Sequence, residues 1–310
     1  MNVTSSKSFW PIHDDYLFFQ EQSTEADEDL RSYIPYVHAL AAGSGPIHML
    51  DFGSGSGRFA CQLLALARLP SDRLQLSLVE PDEEYRQQAI EQLQPFAVHP
   101  VQTWPALPPG LEARFDLVLA NHVFYYVPDL DEVLGSLLPA LTLSGLFLAA
   151  MAENRNTLIQ FETYCFALIN MPYPYHTAED LEASLDKRGE VYRKQAIHYE
   201  LAFPDAEENR LKIMRFLMGD YFDEIPRQPM ADLFSPYAQA GRIVIKTGHE
   251  QFIIQRQAMK ARKKTYSLSL ISLLFSGGSN ETINLSNISY SYRNDFRHLR
   301  IFFSGVFRNE

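Results

Sequence analysis

Asp51-Phe52-Gly53-Ser54-Gly55-Ser56-Gly57 stands between a short apolar run, Ile47-His48-Met49-Leu50, and an apolar-periodic stretch over residues 58–69 that stops at Pro70. This order predicts a strand, a tight glycine turn and a helix. Glycines there let the main chain turn sharply and approach a ligand with no Cβ between them, while the first N–H groups of the next helix stay free to bind it. A nucleotide-like ligand is the expectation. The alternation continues with strands over 74–79, 96–101, 115–120 and 146–150 and helices over 83–93 and 130–141. Further on, 157–169 reads as helix, and Thr177-Ala178-Glu179-Asp180 has the capping-box form for a helix ending near Gly189. Residues 191–202, 205–218 and 251–254 then read as strand, helix and strand. Seven strands interleaved with helices predict an α/β fold built on a doubly wound, mostly parallel seven-stranded sheet.

An aromatic-rich helical pattern covers 9–42 and ends at Gly43-Ser44-Gly45-Pro46, setting off residues 1–45 as an N-terminal helical lid segment before a main domain over 46–258. Residues 259–310 hold eight Lys/Arg against three acids, a balance of +5, while 1–258 carry −16. They are expected to be a basic C-terminal extension, with 260–264 a solvated basic linker. The whole chain carries −11, from 27 Lys+Arg and 38 Asp+Glu, which repels a polyanionic backbone and argues against nucleic acid as partner. A small-molecule substrate is favoured. Cys61 and Cys165 lie far apart and outside any Cys/His ligand spacing, so neither a disulfide nor a metal site is expected. No run approaches the ~18–20 apolar residues of a membrane span, and no apolar leader follows Met1. The expectation is a soluble, cytoplasmic monomer without a membrane partner.

A dinucleotide turn reads G-x-G-x-x-G/A, but the position three past Gly55 is Arg58, which opposes close helix–strand packing around a pyrophosphate. The spacing D-x-G-x-G-x-G resembles that of class I S-adenosylmethionine-dependent methyltransferases, with their Rossmann-like fold. Glu80, ending the second strand, stands where a carboxylate can accept from both ribose hydroxyls. After the fourth strand comes Asn121-His122-Val123-Phe124-Tyr125-Tyr126-Val127-Pro128, without the two prolines that mark base-modifying methyltransferases at this place.

Ser23-Thr24-Glu25, Val79-Glu80-Pro81, Tyr125-Tyr126-Val127 and the region from 177 onward together resemble the histamine N-methyltransferase-like family over about residues 9–256. That resemblance implies S-adenosyl-L-methionine as cofactor, held by Asp51, Gly53, Ser54, Gly55, Gly57, Glu80, Pro81, Thr103, Asn121 and His122. It implies a small-molecule acceptor, an amine nitrogen being one candidate, near Glu25, Tyr16, Tyr125, Tyr126 and His249. The sequence departs from the family at His122, where a glutamine is expected, and at Gly248 or His249, where an asparagine is expected, so histamine itself is not implied. His122, with an ordinary pKa near neutrality, is the candidate base, and Glu25 the candidate partner of the substrate amine. Tyr125 and Tyr126 are adjacent, so in extended chain only one faces inward. Tyr16, Phe18 and Phe19 read first as core, with a lid role as the alternative. Two other functions stay open: a binding protein that keeps the fold without the chemistry, and a nicotinamide oxidoreductase, which Arg58 opposes.

Overall fold

The computed structural model describes residues 9–256. The basic extension expected over 259–310 lies outside these residues. The pattern over 9–42 forms two helices, α1 (His13–Gln22) and α2 (Glu25–Leu40). They part at Ser23-Thr24 because this link pairs with a strand: the Thr24 N–H donates to the Glu200 carbonyl at 2.9 Å, and Thr24 Oγ1 accepts from the Glu200 N–H at 3.0 Å.

Then follow β1 (Ile47–Phe52), α3 (Arg58–Ala67), β2 (Leu74–Val79), α4 (Glu83–Leu93), β3 (Gln102–Trp104) and β4 (Phe115–Asn121). After them come α5 (Leu130–Ala140), β5 (Leu141–Met151), α6 (Thr157–Leu168), α7 (Ala178–Lys187), β6 (Arg193–Pro204) and α8 (Glu207–Met218). The described chain closes with α9 (Arg227–Asp232), β7 (Ala238–Gln239) and β8 (Arg242–Gln255). The third strand begins later than the spacing suggests, because Pro95 and Pro100 each lack the N–H a ladder needs; Gln94–Phe96 is a 3₁₀ turn instead. β8 is much longer than 251–254, since polar residues at 246–251 mask the strand pattern.

The strands order as β3-β2-β1-β4-β5-β8-β6, with β1 to β5 mutually parallel and β8 antiparallel to both its neighbours. The two-residue β7 adds an eighth strand beside β8. This is the Rossmann-like α/β fold with a mainly parallel sheet. Period-2 side chains divide the core into two layers. Leu50, Val118 and Phe147 face α5 and α7, while Met49, Leu76, Leu117 and Leu148 face α2, α3 and α4. Cys165 is buried and Cys61 half-buried, neither in a disulfide.

Two consequences place the site. Strand order reverses between β1 and β4, so a crevice opens beyond their carboxyl ends. In addition, β8 pairs with β5 only over residues 250–255 but with β6 over 242–253, so the β6–β8 ribbon projects past the carboxyl end of β5. The ribbon carries α8, α6 and α1 on a third apolar cluster that includes Phe19, Phe161, Phe203, Met214 and Ile243. No helix among the described residues is long and apolar enough to cross a membrane.

Tyr33 of α2 is fully buried, and its hydroxyl has no hydrogen-bond partner among the described residues. Tyr33→Phe should therefore leave the melting temperature unchanged or raise it, whereas Tyr33→Ala should cost roughly 3–5 kcal/mol by opening a cavity. A drop of several degrees for Tyr33→Phe would contradict this packing.

Candidate active site

A cavity of about 980 Å³ opens at the carboxyl ends of β1 and β4, large enough for a nucleoside-sized ligand together with an acceptor. One end is the glycine turn. Gly53, Gly55 and Gly57 all adopt positive φ, but they serve different ends. A Cβ on Gly53 would fall 2.1 Å from Val123 Cγ2, and one on Gly57 2.9 Å from Ala89 Cα, so these two glycines permit close packing within the protein. A Cβ on Gly55 would meet nothing within 4 Å. Gly55 is thus the position where main chain is bared to the cavity. α3 begins at Gly57 with no side-chain cap, which leaves its first N–H groups unpaired by side chains.

Glu80 is held beside this turn before any ligand arrives. Its Oε2 accepts from the Gly55 N–H at 2.8 Å and its Oε1 from the Asp82 N–H at 3.0 Å. Each oxygen keeps lone-pair capacity for a hydroxyl. Burial raises the Glu80 pKa, with these two N–H groups opposing the shift. Asp51 is buried at the end of β1, and burial, then the charge of Glu80, pushes its pKa up to about 7. Ser54 Oγ and Asn121 Oδ1 belong to cavity-lining residues and are buried without a hydrogen-bond partner among the described residues. The bare Gly55, the poised carboxylate and these two orphan atoms fit an adenosyl ligand carrying an amino-acid end.

The other end is acidic and aromatic. Asp29 of α2 has no exposed side-chain surface and accepts four hydrogen bonds. Oδ1 accepts from His249 Nε2 at 2.7 Å and Gln251 Nε2 at 2.6 Å, while Oδ2 accepts from His122 Nε2 at 3.0 Å and Asn121 Nδ2 at 3.1 Å. Burial alone would raise its pKa, but the two histidines hold it well below the usual carboxylate range. His122 sits at φ +55°, an uncommon conformation for a residue with a side chain. Burial pulls the His122 pKa down, yet Glu25 and Asp29 outweigh it and raise it to about 9. His122 is therefore an imidazolium at neutral pH, which corrects the expectation of a ready base.

Most residues singled out in the sequence converge here. Asp51, Gly53, Ser54, Gly55, Glu80, Pro81, Asn121, His122, Glu25, Tyr16, Tyr125 and Tyr126 all line the cavity. Gly57 does not, being used in packing, and Thr103 on β3 does not either; Pro105, Ala106 and Leu107 just after it do. His249 is 1% exposed and lies behind the wall, on Asp29. Tyr125 and Tyr126 both reach the cavity, because Phe124–Tyr126 is a 3₁₀ turn and not extended chain. Phe19 and Tyr16 line the cavity, Tyr16 stacked on Phe216, whereas Phe18 packs on Phe203.

Two residues escaped the sequence reading. Asp29 stands in sequence among Glu25, Asp27 and Glu28, the composition of a solvated face, but it shares a helix face with Tyr33 and Val37, four and eight residues on, and that face is buried. Glu162, 4% exposed, lines the cavity and accepts from the Tyr173 hydroxyl at 3.3 Å. A lone acid within the otherwise apolar face of α6 was the available signal.

Residues 50–147, about a third of the chain, match the family described as a methyltransferase domain. No curated protein matches the chain. Among solved structures it is similar to the YcgJ protein from Bacillus subtilis, at 15% identity over 73% of this chain and 100% of that one, with a TM-score of 0.48. It is similar to the plantazolicin methyltransferase BpumL in complex with SAH, at 12% identity, 79% and 90% coverage and a TM-score of 0.45. The MccD protein gives 14% identity, 72% and 96% coverage and a TM-score of 0.45. The matched methyltransferase domain and the cradle just described support a methyltransferase that uses S-adenosyl-L-methionine. The comparisons reach that level and do not single out the histamine N-methyltransferase-like family.

Asp51 gives a test that needs no ligand. Its folded pKa of about 7 stands above the ordinary value of 3.8, so its contribution to stability is full below pH 4 and is lost as pH rises through 7. Asp51→Asn should remove a decline of roughly 1–3 kcal/mol between pH 5 and 8 in chemical denaturation. A wild-type stability that rises over that interval, unaltered in Asp51→Asn, would contradict the buried-carboxyl assignment.

Proposed function

We propose that this protein transfers the methyl group of S-adenosyl-L-methionine to the nitrogen of a small amine held in the aromatic, acidic end of the cavity. The observation that carries this reading is the pairing of a buried and a half-buried carboxylate with ring faces around one space continuous with the glycine cradle. Glu162 and Glu25 line it, as do Tyr16, Tyr126, Tyr173, Tyr199 and Phe216. Carboxylates and ring faces both favour an organic cation. Shared features with the histamine N-methyltransferase-like family, Glu25 and Tyr125-Tyr126 among them, support an amine acceptor, while His122 and Gly248-His249 separate it from histamine.

The cofactor supplies an electrophilic methyl on a sulfonium. Glu80 would hold the ribose, and the main chain at Gly53–Gly55 would take the amino-acid end. An amine attacks only as the free base, so an entering ammonium must give up its proton. The carboxylates of Glu25 and Glu162 are the acceptors at hand, since His122 is already protonated. With the donor bound there, a C–N bond would form as its C–S bond broke, leaving a thioether. The rest is positioning, with no covalent enzyme intermediate required. Tyr16 on α1, closing one wall, supports a lid role for the N-terminal segment.

A donor-turnover screen across small amines, phenols and carboxylates tests this. Aromatic or aliphatic amines should be the turned-over class, and Glu162→Gln should raise KM for the amine at least tenfold with a smaller change in kcat. Preference for neutral phenols, with Glu162→Gln indifferent, would overturn the amine assignment.

A further inference from the structure

Sequence spacing gave no reason to expect a metal, since Glu25, His122 and His249 are about a hundred residues or more apart. The fold brings them together from α2, the turn after β4 and β8. One ligand atom from each lies within 4.8 Å of the others. Glu25 Oε2 is 3.8 Å from His122 Nε2, and Glu25 Oε1 is 3.8 Å from His249 Nδ1.

His249 is the informative member. Its Nε2 donates to Asp29 Oδ1 at 2.7 Å, which places a proton on that nitrogen and, in the neutral ring, leaves Nδ1 as the acceptor. The ring is 1% exposed, and Nδ1 has no hydrogen-bond partner among the described residues. The group facing it is the Glu25 carboxylate, another acceptor. In the neutral ring, two lone pairs face each other there, an arrangement that a cation between them would satisfy. For His249, Asp29 also supplies the arrangement that orients a metal-bound imidazole, a carboxylate accepting from the far ring nitrogen; His122 turns toward Asp29 the same Nε2 that faces Glu25, so its hydrogen bond is given up to the ion. The four hydrogen bonds of Asp29 hold His122 and His249 on one side of the cavity wall.

We infer that Glu25, His122 and His249 form a binding site for a single divalent transition-metal ion, with Asp29 as its orienting carboxylate. Two imidazole nitrogens and one carboxylate suit zinc, cobalt or nickel better than magnesium or calcium. Bonds of about 2.0–2.2 Å require the three atoms to close slightly, and the flexible Glu25 side chain can supply that movement. The proton on His122 Nε2 leaves to solvent as the ion takes its place. Glu25 and His122 line the cavity, so a remaining coordination position faces the acceptor. This goes beyond the amine reading: with the ion bound, Glu25 acts on the acceptor through the metal, and Glu162 remains the direct partner of its positive charge.

The test uses the full chain, dialysed against a chelator and titrated with zinc by calorimetry and with cobalt by visible absorption. One ion per chain is expected, with a cobalt band of the intensity of a low-symmetry site, bleached by one equivalent of zinc. The chain has nine histidines, so variants must locate the ion. Glu25→Gln and His122→Asn, asparagine being tolerant of positive φ, should each weaken binding at least tenfold, and Asp29→Asn about 10–100-fold. Since His249→Ala risks the fold, the assignment rests on the other variants, whose melting temperatures are measured without metal. Absence of stoichiometric binding, or binding unchanged in both Glu25→Gln and His122→Asn, would leave only a buried hydrogen-bond network and overturn the proposal. S-adenosylhomocysteine binding is followed separately. Its loss in the wild type would break the methyltransferase reading without bearing on the metal result.

Discussion

A carboxylate with no exposed surface must find its whole solvation inside the protein, and Asp29 finds it in four donors from two parts of the chain. Those donors are the end of β4 with the residue after it, and two positions on β8. The demand of one buried charge thereby ties α2 to the carboxyl edge of the sheet. Other polar contacts, Ser32 with Gln251 and Tyr36 with Arg193, lie farther along α2, so Asp29 is its tie to the wall at the cavity. Gln251, which donates to Asp29, is itself held by Ser32 Oγ at 2.6 Å and Gln195 Nε2 at 2.9 Å, so the network reaches across the ribbon to β6.

The two ends of the cavity illustrate different uses of backbone. At the cofactor end the protein offers main chain: a bared glycine, an uncapped helix start, and a glutamate anchored by N–H groups so that it arrives oriented. At the acceptor end it offers side chains, carboxylates and rings, whose placement depends on the ribbon projecting past β5. On the proposed reading, cofactor geometry is a property of the sheet's turn, whereas acceptor choice belongs to α1, α2, α6 and α8, which line the other end. Fold alone cannot supply that choice.

How far this was legible in the sequence follows the same division. The turn at 51–57, the strand before it and Glu80 are contiguous or nearly so, and local pattern sufficed for them. So did β2 and α4, whose bounds match the reading to the residue. The β3 region was misjudged, because apolar character over 96–101 is compatible with a strand until the missing N–H groups of two prolines are counted. β8 was found only at its apolar end, since its other half bears the polar residues that serve the site. Asp29 and Glu162 were passed over for a related reason. A buried acid differs from an exposed one in its partners, and those partners lie about ninety or more residues away for Asp29. The spacing of Tyr125 and Tyr126 misled through an assumed extended backbone, where the chain in fact turns.

The account stands on Glu80 being a ribose acceptor within a cradle opened by Gly55. A crystal structure of the protein with S-adenosylhomocysteine measures this directly. Both ribose hydroxyls should lie within hydrogen-bond distance of the Glu80 carboxylate, with the amino-acid end over Ser54 and Gly55. A nucleoside bound elsewhere in the cavity, or a Glu80 turned away from the sugar, would contradict it.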